Sequence, residues 1–260
     1  NGTIFKYDVK GIVPGLLERW YAERQELQAK KKTAETAEDK AFWDKRQLVK
    51  KINLNSLYGA ILNPGCRFFD HRIGQSTTLT GRIIARHMDA FVNETITGQY
   101  DHVGSSIIYG DTDSVYFTAW PAIQAEVEAG TMEWNRDICV QLYDTIAEGV
   151  NESFPAFMER ACHCPREMGS IIRGGRELIA SKGLFIKKKR YAVLIYDLEG
   201  RRLDVDKKPG KVKAMGLDLK RSDTPKVVQD FLSEILLDVL TGAERQLIID
   251  KVREFKIAFQ

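Results

Sequence analysis

Long apolar runs are absent from this 260-residue chain, and no stretch of it could span a bilayer. No secretory segment is visible either. The two Asn-x-Ser/Thr matches, Asn93-Glu94-Thr95 and Asn151-Glu152-Ser153, therefore read as chance occurrences. Cysteine is scarce. Cys66, Cys139, Cys162 and Cys164 have no zinc spacing, because one C-x-C around His163 lacks the second pair that a tetrahedral site needs. Reduced thiols in a cytosolic protein are the expectation. A large excess of one charge is also missing: net charge is +3, which by itself demands no nucleic-acid partner. There is no internal repeat and no long low-complexity tract. What remains is ordinary for a soluble globular protein, 43% hydrophobic and 29% charged residues, enough for one large domain or two smaller ones.

Charge placement says more than its sum. Basic residues concentrate at Lys30-Lys31-Lys32, at Lys187-Lys188-Lys189-Arg190, and at Lys207-Lys208 with Lys211 and Lys213. The acidic counterpart is Tyr109-Gly110-Asp111-Thr112-Asp113-Ser114, between the β-rich runs 105–108 and 115–117. This pattern predicts a hairpin with an acidic tip. Two carboxylates at a tight turn repel one another and lose hydration on packing. Mg²⁺ relieves both costs and prefers carboxylates plus substrate phosphates, which points to phosphoryl or nucleotidyl transfer. The plain alternative is a solvated Asp-rich turn.

Residues 1–14 read as extended, ending at Pro14, and 15–31 as a helix. A polar turn from Lys30 to Asp39 leads to a second helix from about Lys40 to Leu62, stopped by Asn63-Pro64-Gly65. The two form a long helical hairpin. A third helix is expected over 75–97, and a loop with a short helix over 121–129. Residues 134–161 read as a helix interrupted near Pro155. Glu177 to Ile186 and Tyr191 to Leu198 are strand candidates around a Glu199-Gly200 turn that follows them, and amphipathic helices occupy 225–240 and 243–258.

In the second helix, Lys51, Asn55 and Tyr58 are spaced i, i+4, i+7 and share one face. A cation, an amide and an aromatic hydroxyl in line suit a nucleoside triphosphate: lysine as a point charge for phosphates, tyrosine against a sugar or base edge. Arg24 on the preceding helix could add a bidentate phosphate contact. A solvated polar stripe explains the same spacing.

Taken together, these segments resemble family B DNA polymerases. Lys51-x-x-x-Asn55-Ser56-x-Tyr58-Gly59 is similar to motif B and Tyr109-Gly110-Asp111-Thr112-Asp113-Ser114 to motif C. Lys188-Lys189-Arg190-Tyr191 resembles the KKxY element. Met215-Gly216-Leu217 with 221–226 resembles the passage from palm to thumb. The spacing is closest to that of T-even-like phage replicative polymerases, and the resemblance covers about residues 5–258. It implies Asp113 as the main metal-binding catalytic carboxylate and Asp111 as the outlying one, with Glu177 a loose match to an acidic palm residue near the metals. Arg24 and Lys51 would meet the triphosphate, Asn55 would help hold that site, and Tyr58 would face the nascent base pair. Lys188, Lys189, Arg190, Tyr191 and Arg221 would contact DNA. The cofactor implied is Mg²⁺, as two ions in the complete site.

Two departures stand out. The family carries a lysine four residues after the arginine of the first fingers helix; here the position is Gln28, with Lys30 nearby. Motif A, D-x-x-S-L-Y-P, is found nowhere, and Asp8 does not fit it. The expectation is a piece of a longer or split polymerase, starting just after motif A, lacking the exonuclease and most of the thumb, and inactive by itself. The expected fold is α+β: a long helical hairpin on a small antiparallel sheet backed by helices, with C-terminal thumb helices. Residues 1–14 would lead from palm to fingers, 15–65 form the fingers hairpin, 66–220 the palm, and 221–260 the start of the thumb. Implied partners are primer-template DNA, dNTP, the remainder of the polymerase (motif A palm half, exonuclease, thumb) and a sliding clamp, with no membrane and a cytoplasmic setting in a phage-infected bacterium. The competing readings are a non-catalytic DNA-binding module of polymerase shape and another metal-dependent nucleotidyl transferase such as a reverse transcriptase. Lys51-Asn55-Tyr58 upstream of the acidic hairpin and KKRY downstream disfavour the latter.

Overall fold

The computed structural model of the chain describes residues 2–6, 8–205 and 208–259. Asn1, Tyr7 and Lys207 of the segments above lie outside them. The chain divides into two compact units, Asn1–Arg82 and Ile83–Gln260.

The first unit is built on an α-helical hairpin, α1 (Ile12–Thr33) and α2 (Ala37–Ile61). Helix α1 starts earlier than the sequence suggests and takes in Pro14. The first turn of a helix has no partners for its N–H groups, so a proline there loses nothing; the first bond runs from the Gly15 N–H to the Gly11 carbonyl. The turn is also shorter than expected. Lys30, Lys31 and Lys32 complete the last turn of α1, where cations suit the negative end of the helix. Thr36 then opens α2 by accepting the Asp39 N–H at 3.0 Å. Bridges between the helices run in opposite directions along them, which fixes the antiparallel pairing: Lys31 to Asp44 at 2.6 Å, Arg24 to Gln47 at 3.3 Å, and Lys50 to Glu23. No α1 side chain is fully buried, and in α2 only Ile61 is. The hairpin therefore rests on half-buried and polar contacts.

Helix α3 (His71–Thr97) runs into the second unit, which continues with β1 (Ile107–Asp111), β2 (Ser114–Phe117), α4 (Trp120–Glu128), α5 (Arg136–Cys162) and α6 (Arg166–Gly169). Strands β3 (Leu178–Lys187), β4 (Arg190–Leu198), β5 (Arg201–Arg202) and β6 (Lys211–Met215) follow, then α7 (Lys226–Thr241) and α8 (Arg245–Phe259). Helix α5 is not interrupted at Pro155. Ile146, Val150, Phe154 and Met158 recur every fourth residue and are all buried, so the packing of one continuous face carries the helix past the missing N–H. Asn135 caps its start through the Asp137 and Ile138 N–H groups, each at 3.0 Å.

The strands form two antiparallel sheets rather than the single one expected: β1–β2 alone, and β3–β4 with β5 and β6 also paired to β4. Strand β4 is buried from Tyr191 to Asp197 and works on both faces. Ala192 and Leu194 pack toward Leu236 and Leu240 of α7, while Tyr191, Val193 and Ile195 face Tyr109, Tyr116 and Phe185. A third cluster joins Val92 and Ile96 of α3 to Ile146, Val150 and Phe154 of α5 beneath Ile107 and Phe117. The expected backing of the acidic hairpin by these two helices is thus observed.

Asn93 anchors the approach to β1. Its side chain donates to the Gln99 carbonyl at 2.8 Å and accepts the Ser106 N–H at 3.2 Å and the Ser106 hydroxyl at 2.8 Å. It is 1% exposed, so this sequon match is inaccessible.

Candidate active site

The predicted acidic hairpin is present. Asp111 pairs with Ser114 at the end of the β1–β2 ladder, leaving Thr112 and Asp113 as the turn. Thr112 has φ 57°, a left-handed conformation that costs a β-branched residue about 1–3 kcal/mol. Local hydrogen bonds hold the strain: the Asp113 N–H donates to the Asp111 carbonyl at 2.7 Å, and the Thr112 hydroxyl to the Asp111 carboxylate at 3.2 Å. The Ser114 hydroxyl reaches the Asp111 carbonyl at 3.2 Å. Behind the turn, Asp89 of α3 approaches Gly110, its Oδ2 lying 3.7 Å from where a Cβ would stand, an ordinary van der Waals separation. Burial pushes the Asp89 carboxyl up to about 6, against the opposing effect of nearby His102.

An aromatic cluster ties the hairpin to the larger sheet. The Tyr109 ring lies 5.4 Å from Tyr191 and 5.6 Å from Phe185, and Tyr116 lies 5.3 Å from Tyr191. The Tyr116 hydroxyl donates to that of Tyr191 at 3.2 Å, and burial, with this bond next, raises the Tyr116 pKa. The Lys189 N–H, at the β3–β4 turn, donates to the Tyr109 hydroxyl at 2.7 Å.

A cavity of about 450 Å³ opens beside Asp113. It is lined by every residue from Asp113 to Thr118 and every residue from Arg173 to Gly183. Successive strand residues point to opposite faces, so an unbroken lining means that the cavity runs along strand edges. Among the described residues, β2 pairs only with β1, and β3 only with β4. Both edges therefore offer free backbone groups to the same space. Arg176, half-buried with its side chain 9% exposed, sits in its wall, bound to Asp144 and, at 2.5 Å, to buried Asp197.

The other predicted residues are distributed as follows. Arg24, Lys51, Asn55 and Tyr58 belong to the first unit; Lys51 and Asn55 are exposed, and Arg24 is engaged with Gln47. Lys188 and Lys189 are exposed. Tyr191 is only 5% exposed and belongs to the aromatic cluster. Arg190 bonds the Gly216 carbonyl at 3.0 Å, and Arg221 holds Asp223 at 2.6 Å. Glu177 lines the same cavity as Asp113 but is paired with Lys213 at 2.6 Å. Asp89 and Arg176 went unpredicted, because isolated charged residues on a helix and in a loop carry no sequence signal of burial.

A divalent ion would find a partial donor set here. Asp111 and Asp113 supply carboxylates of the kind Mg²⁺ prefers, but no three His, Cys, Asp or Glu among the described residues gather to hold a metal. Cys162, His163 and Cys164 do not form such a group either.

Acidic hairpin, flanking helices and sheet together match part of a known polymerase fold. The solved family B DNA polymerase of the archaeon Pyrobaculum calidifontis matches with a TM-score of 0.52 at 17% identity, over 96% of this chain and 25% of that one. The family model for DNA polymerase family B matches residues 3–145. The chain belongs to DNA polymerase family B. Among curated relatives, the DNA-directed DNA polymerase of Escherichia phage RB69 is 31% identical over 208 residues, 76% of this chain and 22% of that protein. That of Enterobacteria phage T4 is 30% identical over 213 residues, 77% of this chain and 23% of that protein. A DNA polymerase of Pyrococcus glycovorans is 26% identical over 96% of the chain. The chain spans about a quarter of the length of these relatives. No helix among the described residues is long and apolar enough to cross a membrane.

Proposed function

We propose that this chain is the fingers and partial palm of a DNA-directed DNA polymerase, serving nucleotidyl transfer from a dNTP to a primer 3′ hydroxyl in the complete enzyme. Family membership over a span that contains both K-x-x-x-N-S-x-Y-G and Y-G-D-T-D-S carries the reading. Residues 15–65 act as fingers, 66–220 as palm and 221–260 as the start of the thumb. Lys51 and Arg24 neutralise the triphosphate, Asn55 supports that site, and Tyr58 packs against the nascent base pair. Lys188, Lys189 and Arg221 hold DNA through its phosphates, with Arg190 and Tyr191 shaping the turn that presents the lysines.

Asp111 and Asp113 would hold Mg²⁺ together with donors from outside this chain. When bound, the two ions of the complete site lower the pKa of the 3′ hydroxyl and stabilise charge in the displacement. This chain supplies half of the carboxylates, so it is inactive alone. The open edges of β2 and β3 support that view: an extended strand bearing motif A, from the remainder of the polymerase, would pair with both and bring its carboxylate beside Asp113. Clamp binding and a cytoplasmic setting in an infected cell belong to the same proposal, in keeping with the phage source of the relatives.

The test is binding of a primer-template duplex across a salt titration, with a Lys188→Ala/Lys189→Ala variant. Salt-sensitive binding is expected, with the log–log slope falling by about one for each phosphate that no longer meets a lysine. Binding that ignores both salt and the lysines would overturn the assignment.

A further inference from the structure

The β3–β4 turn is pinned from two sides. Lys189 sits in the left-handed region at φ 61°. Its N–H is taken by the Tyr109 hydroxyl at 2.7 Å. Its carbonyl lies against Gly216, where a Cβ would come within 2.0 Å of the oxygen. Gly216 itself has φ 64°, and its carbonyl accepts Arg190 Nε at 3.0 Å. Tyr109 stands two residues before Asp111 on β1. Its ring is fixed by Tyr116, Phe185 and Tyr191, with centroids 5.4–6.1 Å away. A rigid aromatic therefore reaches from the acidic strand to the backbone of the basic turn, and its hydroxyl bonds the turn directly at Lys189, whereas the Tyr116 hydroxyl reaches only the Tyr191 side chain on β4.

We infer that Tyr109 is a positioning residue: its hydroxyl sets the register between the Lys188–Lys189 turn and the Asp111–Asp113 tip, and so the place at which a recessed 3′ end is held relative to the acids. This rests on the polymerase reading, since the turn has a terminus to hold only if DNA is the ligand. A turn without this bond keeps its lysines and their charge. It loses the restraint on where they point, so affinity for a recessed end should fall while general attraction to duplex phosphates remains.

The experiment compares the full chain with Tyr109→Phe and Tyr116→Phe. Both variants remove a hydroxyl from the same aromatic cluster, but only Tyr109 touches Lys189. Two quantities are read: hydrogen exchange at the Lys189 amide, and the ratio of affinities for a recessed-end duplex and a blunt duplex of equal length. Tyr109→Phe should speed Lys189 exchange and reduce the ratio roughly fivefold, the size of one neutral hydrogen bond. Tyr116→Phe should do neither. Unchanged Lys189 exchange in Tyr109→Phe, or an equal fall in the ratio in both variants, would overturn the inference. If no protein binds either duplex, the polymerase reading fails and takes this proposal with it, whereas binding with an unaltered ratio sinks the proposal alone.

Discussion

Asn93 and Gly104 offer a sharp test of how the acidic hairpin is anchored. Asn93→Ala leaves the buried Ser106 N–H and hydroxyl without their acceptor and removes the donor to Gln99. Each buried group left unsatisfied costs about 1–3 kcal/mol, so a loss of about 3 kcal/mol is expected for the substitution. Gly104→Ala is destabilising for a different reason. Its new Cβ would stand 2.0 Å from the Asn93 amide, and overpacking of this kind costs about 1–3 kcal/mol. In the double variant the clash disappears, because the amide is gone. The combined loss should stay near that of Asn93→Ala alone, giving a coupling of about 2 kcal/mol. Urea unfolding followed by circular dichroism, with unchanged m-values, measures all four corners of the cycle. Additive losses would refute the close packing of Gly104 on Asn93.

Three further outcomes follow from the same structure. Arg176→Ala strands the buried Asp197 carboxylate and should destabilise by about 3–5 kcal/mol in urea unfolding, a loss under 1 kcal/mol contradicting the burial. Because burial raises Asp89 to about 6, its protonated form is favoured by folding; that stability is present below about pH 4 and lost as pH rises through 6. Asp89→Asn should accordingly gain about 1–2 kcal/mol over wild type above pH 6, after allowance for solvent screening, with no gain at pH 4; an equal effect at both values would exclude the titration. Thr112→Gly relieves the left-handed strain at the tip and should raise stability by about 1 kcal/mol, net of its added chain entropy, in thermal unfolding; destabilisation would show that the conformation is unstrained.

What the sequence revealed depended on whether a signal was local. The Asp111–Asp113 tip, the individual strands β3 and β4 and the amphipathic α7 and α8 were legible because alternation, turn residues and apolar spacing encode them directly. Pro155 misled, since a local break signal was overridden by the four buried residues of α5. Pro14 misled for the opposite reason: position in the first turn, not residue type, decides whether proline is tolerated. Two sheets instead of one could not be read, because pairing partners leave no local mark: among the described residues β1 and β2 pair only with each other, while β3, β5 and β6 all gather on β4. Tyr191 looked like a contact residue within a basic run, yet its place on β4 points it into the aromatic cluster. The raised Asp89 carboxyl had no sequence signature, arising only where α3 crosses behind Gly110.

The central claim is that Asp113 belongs to a polymerase site completed by a segment carrying motif A. Primer extension with Mg²⁺ and four dNTPs tests it most directly, using this chain alone and this chain fused behind the upstream part of the RB69 phage polymerase. The expected result is no extension by the chain alone, extension by the fusion, and loss of that extension on Asp113→Asn. Extension by the chain alone, or a fusion that binds primer-template DNA yet never extends it, would contradict the claim.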